Sequence, residues 1–343
     1  MESRIRHIWR GVCLALVASL LVHGADWKSG KYAGEFLRTG VGARALGMGG
    51  AYTAIAGDVT AIYWNPAGLA EMNALQFHGM HSERFAGIVN WDFLGVGIPL
   101  RHQYALGVGL FRLGVDGIPI TDLKDPGRDL GEIYVDPSGR RVRNVPFATR
   151  MASDTESALV ISLAKRTSST LSFGGNIKLI RKSIDTYSAW GIGFDAGILM
   201  HVSPSVQLGC MLMDGTSTLV AWEGGRKEVI RPRLKLGGGV DLHVAGFCFT
   251  PVLDILFGLD DRGSASQFNA GRIDMDLCGG FEVVYADRVA IRSGTDRGRF
   301  TAGAGLRVSA FHVDYGFSHH SDLGVIHRVS VTFLFSEKHI ATI

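Results

Sequence analysis

The residues best placed to do chemistry in this chain are the glycines near its amino terminus. Residues 40–70 read GVGARALGMGGAYTAIAGDVTAIYWNPAGLA, and Gly40-x-Gly42-x-x-Ala45 has nearly the spacing of a dinucleotide-binding turn. Such a turn cradles a pyrophosphate only between a strand and a helix. Neither convincingly flanks it, and no Lys follows Gly47 to complete a phosphate loop. The structural alternative is a compact segment in which Gly47, Gly49 and Gly50 permit tight turns and close backbone approach. It closes on Asn65-Pro66-Ala67-Gly68, where Asn before Pro favours an extended or turn backbone and Pro fixes its own φ.

Other reactive side chains assemble no recognisable centre. His78 and His81 are three apart, which on a strand places them on opposite faces, and His319-His320 fall in an expected external loop. Cys210, Cys248 and Cys278 are widely spaced, which argues against a disulfide framework or a cysteine-rich zinc site. No HExxH, GxSxG or Cys-His nucleophile pattern occurs. The expectation is a protein that is not an enzyme, with no catalytic residues, no metal and no cofactor.

The elements around the glycine segment explain its setting. Arg4, Arg6 and Arg10 precede the apolar run 11–22, GVCLALVASLLV, and His23-Gly24-Ala25. That order is a secretory signal, expected to occupy residues 1–24 and to be cleaved after Gly24. The run falls short of the ~17–25 residues of a transmembrane helix. The whole chain has 35 Lys and Arg against 32 Asp and Glu, and the leader carries three Arg and one Glu, leaving 32 against 31. That near balance argues against nucleic-acid binding. No later segment is apolar enough for a transmembrane helix, so any membrane crossing is made by strands.

Strand periodicity is clear. Val329, Val331, Phe333 and Phe335 alternate with Arg328, Ser330 and Thr332; Trp190, Ile192, Phe194, Ala196 and Ile198 alternate with glycines and Asp195. Strands are expected near 74–82, 87–99, 103–115, 154–165, 170–181, 188–201, 205–213, 231–244, 247–258, 272–285, 288–295, 299–308, 310–318 and 325–335. Connections after even-numbered strands are brief, whereas 116–153, 214–230 and 259–271, all after odd-numbered ones, are long. That parity is characteristic of an outer-membrane barrel, with short periplasmic turns and long outer loops. Trp91, Tyr104, Trp190, Tyr285, Tyr315 and Phe335 fall where interfacial aromatic girdles are expected. The inward set includes Asn176, Lys178, Asp195, Lys235, Glu282, Arg307, Asp314 and Arg328. Lys178, Lys235, Arg307 and Arg328 are the candidates to meet an anionic head group; charges of this kind more often pair with one another or with a plug.

Residues 40–70 resemble the amino-terminal signature of the PorV/PorQ group within the FadL-like superfamily of outer-membrane barrels. The stretch 314–335, DYGFSHHSDLGVIHRVSVTFLF, resembles the last hairpin of that group. The resemblance implies an all-β fold, an about 14-stranded antiparallel transmembrane β-barrel with a Gly-rich plug, or hatch. The plug would span 25–73, the barrel 74–335 and a periplasmic tail 336–343; family members usually stop at the terminal aromatic residue, here Phe335. It further implies a passive outer-membrane transporter for hydrophobic compounds, most plausibly long-chain fatty acids, with membrane lipids and the barrel-assembly machinery as partners. Asn65, Pro66, Ala67, Gly68, Gly47, Gly49 and Gly50 would form the hatch and its pivot. The alternative is a PorV-like component of a secretion system that binds exported proteins at the cell surface.

Overall fold

The computed structural model describes residues 35–85, 87–259, 262–320 and 324–335. The expected leader 1–24 and tail 336–343 lie outside the described residues, as does the start of the expected plug. Fourteen antiparallel strands form a closed barrel. In chain order they are β1 (Leu75–Arg84), β2 (Val89–Pro99), β3 (Tyr104–Leu123), β4 (Pro146–Arg166), β5 (Leu171–Ile184), β6 (Tyr187–Ser203) and β7 (Val206–Met213), followed by β8 (Arg233–Val240), β9 (Phe247–Gly258), β10 (Ile273–Tyr285), β11 (Val289–Asp296), β12 (Arg299–Val308), β13 (Phe311–His320) and β14 (Gly324–Phe335). Closure comes from β1 pairing with β14, from Leu75 opposite Phe335 to Glu83 opposite His327. Among the described strands of the barrel no edge is left open, which a spanning sheet requires because lipid cannot satisfy free backbone groups.

The alternation sorts side chains as the sequence predicts. Leu94, Leu163, Trp190, Leu253 and Ile291 are each more than half exposed on the outer wall, while Lys178, Asp254, Glu282 and Arg328 are buried inside. That outward apolar face suits lipid. Trp91 departs from the expected girdle: it is fully buried, and its Nε1 donates to Gly40 O at 2.8 Å inside the barrel.

Three boundaries differ from those expected. The hairpin of β3 and β4 continues beyond 115 and begins before 154, with register breaks between Val115 and Ile118 and between Ile120 and Thr121. Much of this extension is exposed on both faces, so no apolar alternation marks it. The stretch 214–230 contains a ribbon, Thr218–Trp222 paired with Lys227–Ile230, whose first strand lies against β6. His319 and His320 belong to β13 rather than to a loop.

The barrel is filled by residues 35–73. Short turns of helix at Ala43–Gly47, Ala61–Trp64 and Pro66–Glu71 are joined by tight loops. None is long enough to be stable alone. What holds them is burial: Phe36, Val41, Met48, Tyr52, Val59, Ile62 and Leu69 are at most 2% exposed. One side of the wall, β2 to β5, meets the plug with Trp91, Phe93, Phe111, Val160 and Ile180. The opposite side, β10 to β13, meets it with glycine. Gly280 pairs with Gly294 and Gly303 with Gly316, and the backbone of 43–49 lies against these four.

A Cβ on Gly174 would lie 2.3 Å from the Pro66 carbonyl carbon. Gly174→Val is therefore expected to unseat the plug, at a cost of about 1–3 kcal/mol, while leaving the strand ladder intact. The check is a lowered thermal midpoint in a protein that still migrates as a heat-modifiable folded band on a gel.

Candidate functional site

The sequence-selected plug residues converge on the wall of the lumen. Asn65 is fully buried in extended backbone at the start of Pro66–Glu71. Its Oδ1 accepts from Ala67 N at 3.2 Å, capping that turn, and its Nδ2 donates to Thr53 O at 2.9 Å and to Ile198 O on β6 at 3.0 Å. One side chain thus ties the turn to itself, to the plug and to the barrel. Gly68 packs so closely that a Cβ would sit 1.6 Å from Ala56 O. Gly49 has φ near +70°, and a Cβ there would meet Thr295 O at 2.4 Å. Gly47 rests on Gly303, and Gly50 offers its carbonyl to Lys235 Nζ at 2.8 Å.

Charge pairing then sets how the plug sits. Arg44 donates through Nε and Nη2 to both oxygens of Glu282 on β10, at 3.0 and 2.7 Å, and Arg292 on β11 donates to the same carboxylate. Asp254 on β9 accepts from Tyr52 N at 2.9 Å, Thr53 N at 3.1 Å and Thr53 Oγ1 at 2.8 Å. Bidentate guanidinium contacts carry direction as well as energy. Glu282 stands out in the sequence only as one inward charge among many, and Asp254 only as a break in an apolar run.

The four candidate head-group cations have different fates. Lys178 is neutralised by Asp195 at 2.6 Å and Asp214 at 2.5 Å. Lys235 contacts Asp254 at 3.1 Å and stands 4.4 Å from the Trp64 ring centroid. Arg307 lines a cavity on the inner side of the plug. Arg328 is buried and donates to two plug carbonyls, Thr39 O at 3.1 Å and Gly42 O at 3.5 Å. They form no common site.

The plug separates two cavities. The outer one, about 90 Å³, lies at the end where the long connections emerge and is walled by Leu46, Tyr63, Trp64, Leu256 and several arginines. The inner one, about 210 Å³, is polar and includes Arg44, Asp58, His78, Arg307, His312 and Asp314. His78 bonds Thr332, whereas His81 is exposed on the outer wall and pairs with Asp92, so the two histidines do not meet. Among the described residues no cluster of three or more His, Cys, Asp or Glu could hold a metal.

With that geometry established, the solved structures are informative. The Ralstonia pickettii toluene transporter TbuX superposes with a TM-score of 0.55 at 11% identity, covering 87% of this chain and 99% of that one. A Pseudomonas aeruginosa FadL homologue gives 0.52 at 11%, covering 86% and 98%. The fold is FadL-like. The Pseudomonas putida toluene transporter TodX gives 0.51 at 12%, again over 86% and 98%. No family model and no curated protein matches the sequence. In this chain the plug and the two cavities described lie within one barrel.

Two outcomes follow. Glu282→Ala leaves Arg44 and Arg292 without their shared carboxylate and is expected to cost about 3–5 kcal/mol, read as a lower denaturation midpoint. Asp58, within the plug, is opposed by burial, but Arg44 and the hydroxyls of Thr60 and Tyr52 outweigh it and hold its pKa below the ordinary 3.8. Its contribution to plug stability is full above that value and is lost as pH falls through the lower folded one. Proteolysis of the plug at graded pH should show the loss, and Asp58→Asn should abolish that part of the pH dependence.

Proposed function

We propose that this protein is an outer-membrane transporter for hydrophobic compounds, with long-chain fatty acids as the cargo, working by passive passage past a movable hatch. The supporting observation is a closed, lipid-facing barrel whose lumen is stopped by a plug, with an outer cavity in which Leu46, Tyr63, Trp64 and Leu256 stand beside arginines. The toluene transporters of the same fold support the hydrophobic class of cargo. The PorV/PorQ assignment rests on residues 40–70 and 314–335.

Volume makes motion necessary. A pocket for a small organic ligand measures roughly 300–1,000 Å³, and the outer cavity holds about 90 Å³. Passage therefore requires the plug to shift, and Asn65-Pro66 is the proposed pivot because it is bound to Ile198 on the wall and backs onto Gly174 and Gly197. Asn65, Pro66, Ala67 and Gly68 form the rigid end; Gly47, Gly49 and Gly50 form the part that lifts from the wall. Release is into the wall or the periplasm.

A second reading has its own support. The lumen is filled, and the β3–β4 hairpin projects as a polar crown braced by Arg128 with Asp125 and Glu132 and by Arg150 with Asp185. Such a surface suits a secretion partner that holds exported proteins.

Titrating a fluorescent fatty acid into the purified barrel separates these readings. Saturable binding is expected, and Asn65→Ala with Pro66→Ala should change it several-fold, since Asn65 makes three hydrogen bonds each worth about 0.5–1.5 kcal/mol. Absence of saturable binding overturns transport; binding indifferent to the double variant overturns hatch gating alone.

A further inference from the structure

The tip of the β3–β4 hairpin is cross-braced by its own polar groups. Asn144 is fully buried there; its Nδ2 donates to Asp125 O at 2.9 Å, Arg128 O at 3.1 Å and Asp129 O at 3.3 Å, and its Oδ1 accepts from Asp125 N at 3.2 Å. Asp136 Oδ1 accepts from Ser138 N at 2.8 Å and Arg140 N at 3.0 Å, closing the turn between two short paired strands, Ile133–Val135 and Arg141–Arg143. A two-stranded ribbon is marginal by itself, so these bonds hold it in one shape.

The two faces of the ribbon differ. On one, Tyr134 stands opposite Val142 and the Arg128 guanidinium lies 4.8 Å from the Tyr134 ring centroid. On the other, Ile133 stands opposite Arg143 and Val135 opposite Arg141, and all four are exposed. Ile133 is 53% and Val135 62% exposed, which is unusual for aliphatic side chains held in a braced element. Arg140 and Arg150 are taken by Asp136 and Asp185, whereas among the described residues neither Arg141 nor Arg143 has a side-chain hydrogen bond or ion pair. The descending limb, 137–152, carries these four arginines and no acid.

Placement separates this face from the lipid-facing wall. The last rung that β3 shares with β2 is Val115 opposite Val89, and the last that β4 shares with β5 is Asp154 opposite Ile184. Beyond those rungs β3 and β4 pair only with each other as far as Leu123 opposite Pro146, a strand length of about 26 Å at about 3.3 Å per residue. The ribbon lies past that point, on the side of the long outer connections.

We propose that Ile133, Val135, Arg141 and Arg143 form a docking face for an extended segment of an exported protein in which aliphatic and acidic side chains alternate along one side. The acids take charge-assisted, bidentate bonds from guanidiniums that have no described carboxylate, and the aliphatic side chains cover Ile133 and Val135. Residues two apart on a strand lie about 6.6 Å from one another, close to the roughly 5 Å between side chains facing across a ribbon, so one acid and one aliphatic residue can meet Arg143 and Ile133 together. The braced frame spares the complex the cost of ordering the loop. This deepens the secretion reading and rests on it.

The test measures the fluorescence anisotropy of fluorescein-labelled Ser-Val-Ser-Glu-Ser-Val-Ser-Glu-Ser with the full barrel in a non-ionic detergent, beside one peptide with Lys for each Glu and one with Ser for each Val. The Glu peptide is expected to bind about tenfold more tightly than the Lys peptide, one charge-assisted contact, and several-fold more tightly than the peptide without Val. Arg141→Gln with Arg143→Gln should remove the first preference and Ile133→Ser with Val135→Ser the second. Arg226→Gln, at an exposed arginine on the other outer ribbon, should change neither. Heat-modifiable migration confirms each barrel, and unchanged limited proteolysis within 124–145 confirms each tip. A Glu preference that survives loss of both arginines overturns this site while the secretion reading stands; absence of saturable binding by every peptide overturns both. Flotation with phosphatidylglycerol vesicles that depends on Arg141 and Arg143, without any preference among the peptides, assigns the face to an anionic lipid surface and overturns the protein partner.

Discussion

Close approach of the plug backbone to a wall without side chains is the contact on which the rest of the structure depends. Gly280, Gly294, Gly303 and Gly316 lie on four successive strands and face the plug backbone around Ala43, Gly47, Met48 and Gly49. A Cβ on Gly280 would come within 2.6 Å of Met48 O, and one on Gly316 within 2.6 Å of Ala43 O. Across the lumen, Gly174 and Gly197 make the same allowance for Pro66 and Asn65. Between these two floors the plug is gripped by backbone contact, and its short helices need no stability of their own.

Contact of this kind is strong in sum but carries little direction. Orientation comes from buried polar pairs: Arg44 with Glu282, Asp254 with the amides of Tyr52 and Thr53, and Asn65 with Ile198. A buried pair gains little net stability over an apolar one. A misplaced pair is very costly, so these contacts reject alternative seatings of the plug. Apolar packing by Phe93, Phe111 and Val160 supplies the adhesive term on the opposite side of the lumen.

The same division separates the lumen cations from one another. Arg328 and Lys235 both donate to plug carbonyls, but Lys235 also pairs with Asp254 and no described carboxylate lies within ion-pair distance of Arg328. The inner cavity, by contrast, brings both signs of charge together around Arg44, Asp58 and Asp314.

Much of this architecture was legible in residue order. Period-two alternation such as Val329, Val331 and Phe333 against Arg328, Ser330 and Thr332 fixed strand faces, since one side must meet lipid and the other must not. Alternation gave the strand count, loop-length parity pointed to a barrel, and the glycines of 40–70 pointed to close backbone approach. Alternation fails where both faces meet water, which is why the outer halves of β3 and β4 escaped notice, and it cannot distinguish a lipid-facing aromatic from an inward one, as Trp91 shows. Nor could spacing tell four cations apart. Lys178 and Arg328 occupy equivalent inward positions, yet Asp195 and Asp214 converge on the first and no described carboxylate on the second. That difference arises from barrel closure and plug seating, which bring together residues hundreds of positions apart; the sequence alone determined which side chains face inward, and only the tertiary structure decided which of them are already satisfied.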